Sequence, residues 1–156
     1  MEINKSLGFT LIEVIIVMAF TTIIVVSSYG IIGFNSKSKS ELELTAREVV
    51  SVLRNAQDRS ISQEDSSQWG VHFENPISEN GYYLLYKGTS TIFFSKKILR
   101  PSVEFSNPSI GGNKDVEFSF ITGMPTSTIN IVLNLKNNPL ASTTIMINSN
   151  GQIQYK

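Results

Sequence analysis

Apolar residues are distributed very unevenly along the chain, and their longest run lies near the N-terminus. From Val14 to Phe34 the sequence VIIVMAFTTIIVVSSYGIIGF contains no charged residue. At a helical rise of about 1.5 Å per residue, a run of this length measures about 31 Å, enough to cross the hydrocarbon core of a bilayer. The pattern predicts a transmembrane helix segment over residues 9–34.

The orientation of this span follows from its short N-terminal flank, MEINKSLG. Lys5 and the terminal amine outweigh Glu2, and positive charge favours the cytoplasmic side of a membrane. The sequence therefore predicts a single-pass membrane protein with a cytoplasmic N-terminus and an extracytoplasmic C-terminal domain.

A cleaved secretory signal peptide is the alternative, since Ser28, Tyr29 and Gly30 offer small residues at a possible cleavage site. Two features count against it. Glu13 would lie inside the apolar core of that signal, where a carboxylate costs up to about 2.5–3.5 kcal/mol. A helical pattern also continues well past the apolar run, which favours a retained helix.

The second helical pattern begins after the polar stretch NSKSKSE. Its apolar residues recur at intervals of three and four, which is the spacing of one helical face, and its positions are Leu42, Ala46, Val49, Val50, Leu53, Ala56, Ser60 and Ile61. The pattern predicts an amphipathic helix continuation over residues 35–62, so that one helix runs from about Phe9 to Ser62. Gly30 and Gly33 fall inside this helix and mark expected points of flexibility, because glycine costs about 1 kcal/mol relative to alanine there.

Beyond SQEDSSQ the pattern becomes that of short β-strands. The candidate strands are rich in β-branched and aromatic residues: WGVHF, YYLLYK, TIFFS, SVEFS, DVEFSFI, STINIVLNL and TTIMIN. Turn-forming pairs separate several of them: Asn80-Gly81, Lys87-Gly88, Gly111-Gly112, Asn138-Pro139 and Asn150-Gly151. The predicted fold class is α+β, in which a long N-terminal transmembrane and amphipathic helix packs on a mainly antiparallel β-sheet domain over residues 63–156.

Composition narrows the possible chemistry. The chain has 156 residues, with 13 Lys and Arg, 13 Asp and Glu, and no cysteine. Its size suits one domain and one accessory helix. The balanced charge gives no overall attraction for nucleic acid, and the lack of cysteine excludes disulfides, thiolate zinc sites and cysteine nucleophiles.

Candidate catalytic residues are few, and the sequence predicts no enzyme, no metal and no cofactor. His72 is the single histidine, and no nucleophile or orienting partner for it is evident. The carboxylates lack the spacing of a calcium loop: Glu64, Asp65, Glu79, Asp115 and Glu117. Gly111-Gly112-Asn113 lacks the Gly-Lys-Ser/Thr ending of a phosphate loop.

Three motifs together carry a resemblance to a known family. They are GFTLIE at residues 8–13, followed by the apolar helix; ELTAREVVSVLRNAQDRSIS at residues 43–62, followed by WGVHF; and the closing IMINSNGQI. The chain resembles type IV prepilins and type II secretion pseudopilins, and it is similar to the GspH/FimT branch of minor pilins.

This resemblance implies roles for individual positions. Residues 1–8 would be a leader peptide that a prepilin peptidase removes by cutting between Gly8 and Phe9, after which the new amine of Phe9 is methylated. Glu13 would be the acidic residue needed for assembly with other pilin or pseudopilin subunits at an inner-membrane assembly platform. In a bundle of subunits, the Glu13 carboxylate can face the Phe9 amine of a neighbour, and such a pair in membrane lipid costs far less than a lone charge.

Two departures from the major pilins favour a minor subunit. Many major pilins have a proline about twenty-two residues into the mature helix, where this chain has Gly30. Major pilins also often close a C-terminal loop with a disulfide, which this chain cannot form.

Within this family two functions compete. The first is a structural subunit that is incorporated into, initiates or caps a type IV pilus or type II secretion pseudopilus. The second is a pilus-associated DNA receptor for natural transformation. DNA-binding members carry a Gly-Arg-x-Arg segment near the C-terminus, whereas this chain has Gly151-Gln152-Ile153-Gln154, so the structural role is favoured and DNA binding is expected to be weak. Any contact with DNA would involve Lys96, Lys97, Arg100 and Lys156.

Overall fold

The structure is a computed structural model that describes residues 10–88 and 92–156, with the side chains of residues 27–37 and 92 outside the described set. The chain divides into two compact units, Met1–Lys37 and Ser38–Lys156. The buried core lies wholly within the second unit, since its members run from Leu42 to Ile153. That unit therefore has its own hydrophobic core.

One helix, α1, runs over Leu11–Ile61, which confirms the prediction of a single long helix. From Leu11 to Val26 its large apolar side chains are exposed. Searched over the described residues, no helix combines the length and the apolar character needed to cross a membrane. The span over residues 9–34 and the flexibility at Gly30 and Gly33 remain predictions, and Gly8 and Phe9 lie outside the described residues.

The C-terminal half of α1 buries the face that the sequence pattern predicts. The residues of this predicted face are buried, except Ile61 at the last turn, which is 46% exposed. A Cβ built on Gly123 would lie 2.6 Å from the Cγ1 atom of Ile61. Ile61 therefore packs along one side against the backbone at Gly123, where only glycine leaves room.

In the part of the chain that the structure describes, eight strands follow the helix and form two sheets. They are β1 Trp69–Glu74, β2 Tyr82–Lys87, β3 Ile92–Ile98, β4 Val103–Asn107, β5 Asn113–Phe118, β6 Ile129–Leu135, β7 Asn138–Ile147 and β8 Ile153–Tyr155. The order is β3-β2-β1-β5 in the first sheet and β4-β6-β7-β8 in the second. Every pairing between these strands is antiparallel, as predicted.

The two sheets and the helix enclose a common core. Phe73 of β1 is fully buried and meets Phe105 of β4 edge-on, with 5.9 Å between ring centroids. This contact joins the first sheet to the second. Edge-to-face aromatic pairs of this kind add about 0.5–1.5 kcal/mol to the stabilisation that burial provides.

The end of the helix is tied to two distant loops by one side chain. The Gln57 amide nitrogen donates hydrogen bonds to the carbonyl oxygens of Gly123 at 2.9 Å and Gly151 at 2.8 Å. Both glycines have a positive φ, 63° and 84°, which favours residues without a Cβ. Gln57 thereby holds the loop after β5 and the turn before β8 against α1.

Candidate functional site

Glu13 lies in the first turn of α1, among exposed apolar side chains. Together with Val14, Val17 and Met18 it lines a shallow depression of about 330 Å³. Within the part of the chain that the structure describes, no ion pair includes Glu13. The helix dipole favours a carboxylate in the first turn of a helix. A carboxylate among apolar groups is nevertheless stable only when a cation outside this segment pairs with it.

The basic residues that are close in sequence do not form one patch. Lys96 and Lys97 are consecutive in β3 and therefore point to opposite faces of the sheet. The Lys96 ammonium lies 3.8 Å from the centroid of the Tyr82 ring. Arg100 instead pairs with Glu48 of α1 at 2.6 Å. The structure thus places Lys96 and Lys97 on opposite faces and pairs Arg100 with a carboxylate.

The C-terminal segment presents uncharged side chains at the two positions where the family resemblance would place arginine in a DNA-binding member. Gln152 and Gln154 are both exposed, while Ile153 between them is buried in the core. Lys156 is exposed beyond β8, and its backbone pairs with Thr144 in both directions, at 2.9 and 3.0 Å. Arginines at positions 152 and 154 would therefore face solvent.

His72 lies in a polar cluster on the outer face of the first sheet. Its Nδ1 atom is 2.7 Å from a carboxylate oxygen of Asp115, and its Nε2 atom is 3.5 Å from Glu74. The sequence analysis found no partner for His72, which was wrong, because Asp115 belongs to a strand more than forty positions away and is placed opposite His72 only by the β1–β5 pairing. In the described residues no group of three or more His, Asp or Glu side chains has a geometry that could hold a metal.

Two tyrosines of β2 hold their protons to unusually high pH. A hydrogen bond to the Glu74 carboxylate, together with burial, raises the pKa of Tyr82 to about 12 from an ordinary 10.0. Burial, followed by the negative charge of Glu48, raises the pKa of Tyr83 to about 12. The same Tyr82 hydroxyl lowers the pKa of Glu74.

We therefore expect the folded protein to lose stability between about pH 10 and 12. A raised pKa in the folded state means that the unfolded chain releases its tyrosine protons first, so the contribution is complete below pH 10 and disappears as pH rises through 12. Ultraviolet absorbance of ionised tyrosine measures both groups. Glu74→Gln should bring the Tyr82 ionisation back toward pH 10 and leave that of Tyr83 in place; equal shifts in both would contradict this assignment.

Comparison with known proteins concerns two parts of the chain. Residues 3–29 match the prokaryotic N-terminal methylation motif. The fold matches a crystal structure of the type IV minor pilin FimU of Pseudomonas aeruginosa strain PAO1, with a TM-score of 0.55 and 13% identity over 75% of this chain and 89% of the FimU chain. A second crystal form of FimU gives a TM-score of 0.53 and 12% identity, over 74% and 92% of the two chains. No curated protein sequence matches the chain.

The fold is that of a type IV minor pilin. A sequence identity of 12–13% to FimU supports a shared fold and no more. The methylation motif is a separate match at the level of sequence, and the matched residues include Gly8, Phe9 and Glu13. The pilin-like fold and the motif agree with a structural subunit of the type IV pilus class.

Sequence reasoning did not find every residue that shapes these surfaces. It missed Gln57, whose role depends on two loops that lie far away in the sequence. It also missed Leu140, which is 95% exposed at the start of β7. The available signal for Leu140 was an apolar residue directly after a predicted turn, Asn138-Pro139.

Proposed function

We propose that this chain is a minor pilin or pseudopilin, a structural subunit that is incorporated into, initiates or caps a type IV pilus or type II secretion pseudopilus. The methylation motif at residues 3–29 and the minor-pilin fold support this role. In this role a prepilin peptidase cuts after Gly8 and methylates Phe9. The mature chain then joins other subunits through the inner-membrane assembly platform.

Membrane anchoring is part of this proposal. The charge-free run from Val14 to Phe34 supports it, as do the exposed apolar side chains from Leu11 to Val26. Apolar side chains exposed over four helical turns are stable in lipid or against other helices, and not in water. The N-terminus would be cytoplasmic and the pilin-like domain extracytoplasmic before assembly.

Glu13 is the observation that carries the assembly role. It is a carboxylate on an exposed apolar helix face, and it makes no ion pair with the residues that the structure describes. The methylated amine of Phe9 on a neighbouring subunit would supply the missing cation. Because an unmatched charge is costly in lipid, the carboxylate would favour docking and set the register between subunits.

Processing is the first test of this function. When the chain is produced together with a prepilin peptidase, we expect a mature protein that begins with N-methylated Phe9. Intact mass and the N-terminal peptide measure this directly. A mature N-terminus at Ile31, which follows Ser28, Tyr29 and Gly30, would instead establish a secretory signal peptide and overturn the proposal.

DNA uptake is the competing function, and Lys96, Lys97, Arg100 and Lys156 are the cations that could serve it. We expect residues 38–156 to bind duplex DNA weakly. About three or four phosphate contacts would give a salt slope of only about −3 to −4. Titration at two salt concentrations measures both the affinity and the slope.

A gain-of-charge variant provides the comparison for this titration. Gln152→Arg/Gln154→Arg places two arginines on exposed positions of the C-terminal segment. It should add about two phosphate contacts and so make the salt slope more negative by about 2. Binding that appears only in this variant supports the structural role. Submicromolar binding by the parent domain at physiological salt would make DNA receptor the leading function.

A further inference from the structure

An amphiphilic cavity lies where the pilin-like domain begins. It has a volume of about 560 Å³, and it lies between the start of the domain's helical segment and the start of β7. Leu42, Leu140 and Tyr155 contribute apolar surface, and Lys39 and Lys156 contribute positive charge. This combination of an apolar floor and cationic edges suits a ligand with a hydrocarbon part and an anionic head.

Leu140 is the most unusual residue of this cavity. It follows the turn at Lys136 and Asn137 between β6 and β7 and is 95% exposed, so its side chain is almost entirely unburied by its own domain. Leucine in such a position is stabilised when an apolar phase covers it.

The charges around the cavity favour an anionic ligand. Glu43 also lines it, but its carboxylate is paired with Arg47 at 2.6 Å. Lys39 and Lys156 are exposed. Among the described residues no ion pair includes Lys39 or Lys156, so the side-chain charge left at the cavity is positive.

The length of chain before the cavity limits how far it can lie from a bilayer. Lys39 follows Phe34, the last residue of the charge-free run, by five residues. Even a fully extended chain covers at most about 3.6 Å per residue, so Lys39 lies within about 18 Å of the end of that run. If the run is in lipid, Lys39 is close to the headgroups.

We propose that this surface, formed by Lys39, Leu140, Tyr155 and Lys156, binds an anionic phospholipid surface and holds the domain on the membrane before assembly. The proposal rests on the membrane anchor in the proposed function. Leu140 enters the interface between headgroups and acyl chains, as an apolar anchor does. The two lysines bind lipid phosphates, and each strengthens the attraction about fivefold near an anionic leaflet.

The test uses the full chain in nanodiscs of phosphatidylglycerol or of phosphatidylcholine. The chain has no cysteine, so Asn137→Cys at the turn carries a single environment-sensitive fluorophore. Thr122→Cys is the control label, because its loop bonds to Ser60 at the far end of the domain's helix through the Ile121 amide, at 3.2 Å. The helix ends at Ile61, which at a rise of about 1.5 Å per residue lies about 33 Å from Lys39. The control label is therefore far from the proposed surface.

We expect a blue-shifted emission from the label at position 137 in phosphatidylglycerol discs and a water-like emission in phosphatidylcholine discs. The label at position 122 should be water-like in both. Leu140→Ser should lower the ratio of bound to unbound domain about tenfold. Lys39→Gln/Lys156→Gln should lower it about 25-fold, whereas Lys96→Gln/Lys97→Gln, with the same change in net charge, should leave it unchanged.

Several results would overturn the proposal. If the chain co-elutes with the discs and the label at position 137 stays water-like, the lipid surface is wrong and the proposed function stands. Specific binding of anionic lipid by this surface would be excluded if the blue shift were equal in both lipids. It would also be excluded if the two double-lysine variants lowered the ratio of bound to unbound domain equally. If the chain does not co-elute with discs at all, the membrane anchor of the proposed function is wrong, and the lipid surface with it.

Discussion

Glu13→Ala is expected to leave the chain in the membrane and to reduce its incorporation into filaments by about tenfold or more. Removing one partner of a buried ion pair costs about 3–5 kcal/mol, because the remaining charge has no counterion. In the assembled state that remaining charge would be the amine of Phe9. Insertion itself should become easier, since a carboxylate is unfavourable in a lipid-facing helix.

The measurement compares the amount of chain in the membrane fraction with the amount in sheared filaments. Glu43→Ala is the matched control, because Glu43 belongs to the same helix but forms an exposed pair with Arg47 at 2.6 Å. Water screens both charges of such an exposed pair, so the pair contributes little and this variant should assemble normally. Equal filament incorporation by the Glu13 variant and the parent would rule out the pairing role.

Phe73→Ala should produce the largest loss of folding stability among the variants considered, about 3–5 kcal/mol. Phe73 is fully buried and touches both Tyr83 in its own sheet and Phe105 in the other. Its removal leaves a cavity where the two sheets meet. Because domains of this size have a free energy of unfolding of about 5–15 kcal/mol, the change is a large fraction of the total.

Urea unfolding of residues 38–156 measures this effect, since that unit contains the whole buried core. Phe93→Ala is the control. Phe93 is 52% exposed on the edge strand β3, so the same truncation should change the free energy of unfolding by about 0.5 kcal/mol or less. Similar losses in the two variants would contradict the central position of Phe73.

Periodicity in the sequence was sufficient to predict the helix and most strands. The recurrence of apolar residues from Leu42 to Ala56 matched the buried face of α1, because a helix that packs on one side needs that spacing. The predicted strands correspond to β1 through β7. The short strand β8 was not predicted, since three residues give no measurable alternation.

Other features depended on contacts that sequence periodicity does not record. The division into two sheets follows from pairing between β1 and β5, which are not adjacent in the chain. The turn predicted at Asn138-Pro139 was wrong: these residues begin β7, and the turn is at Lys136 and Asn137. Proline can occupy the start of a strand, where its missing N–H is not needed.

The candidate site was predictable only where its residues are contiguous in the sequence. The motif at Gly8, Phe9 and Glu13 is local in sequence and was identified from the residues alone, and residues 3–29 match the methylation motif. The basic cluster was not predictable in the same way. Because side chains alternate along a strand, Lys96 and Lys97 point to opposite faces of the sheet. Arg100 forms an ion pair with Glu48, which is more than fifty positions away in the sequence.

The hydrogen bonds from Gln57 make the last strand of this cysteine-free chain part of a larger cooperative unit. One amide group holds the carbonyls of both Gly123 and Gly151, so neither loop can leave the helix without disturbing the donor that the other one uses. Opening of one loop is therefore expected to weaken the attachment of the other loop to the helix. Through this one amide, the turn before β8 is coupled to the loop after β5 and to the end of the helix.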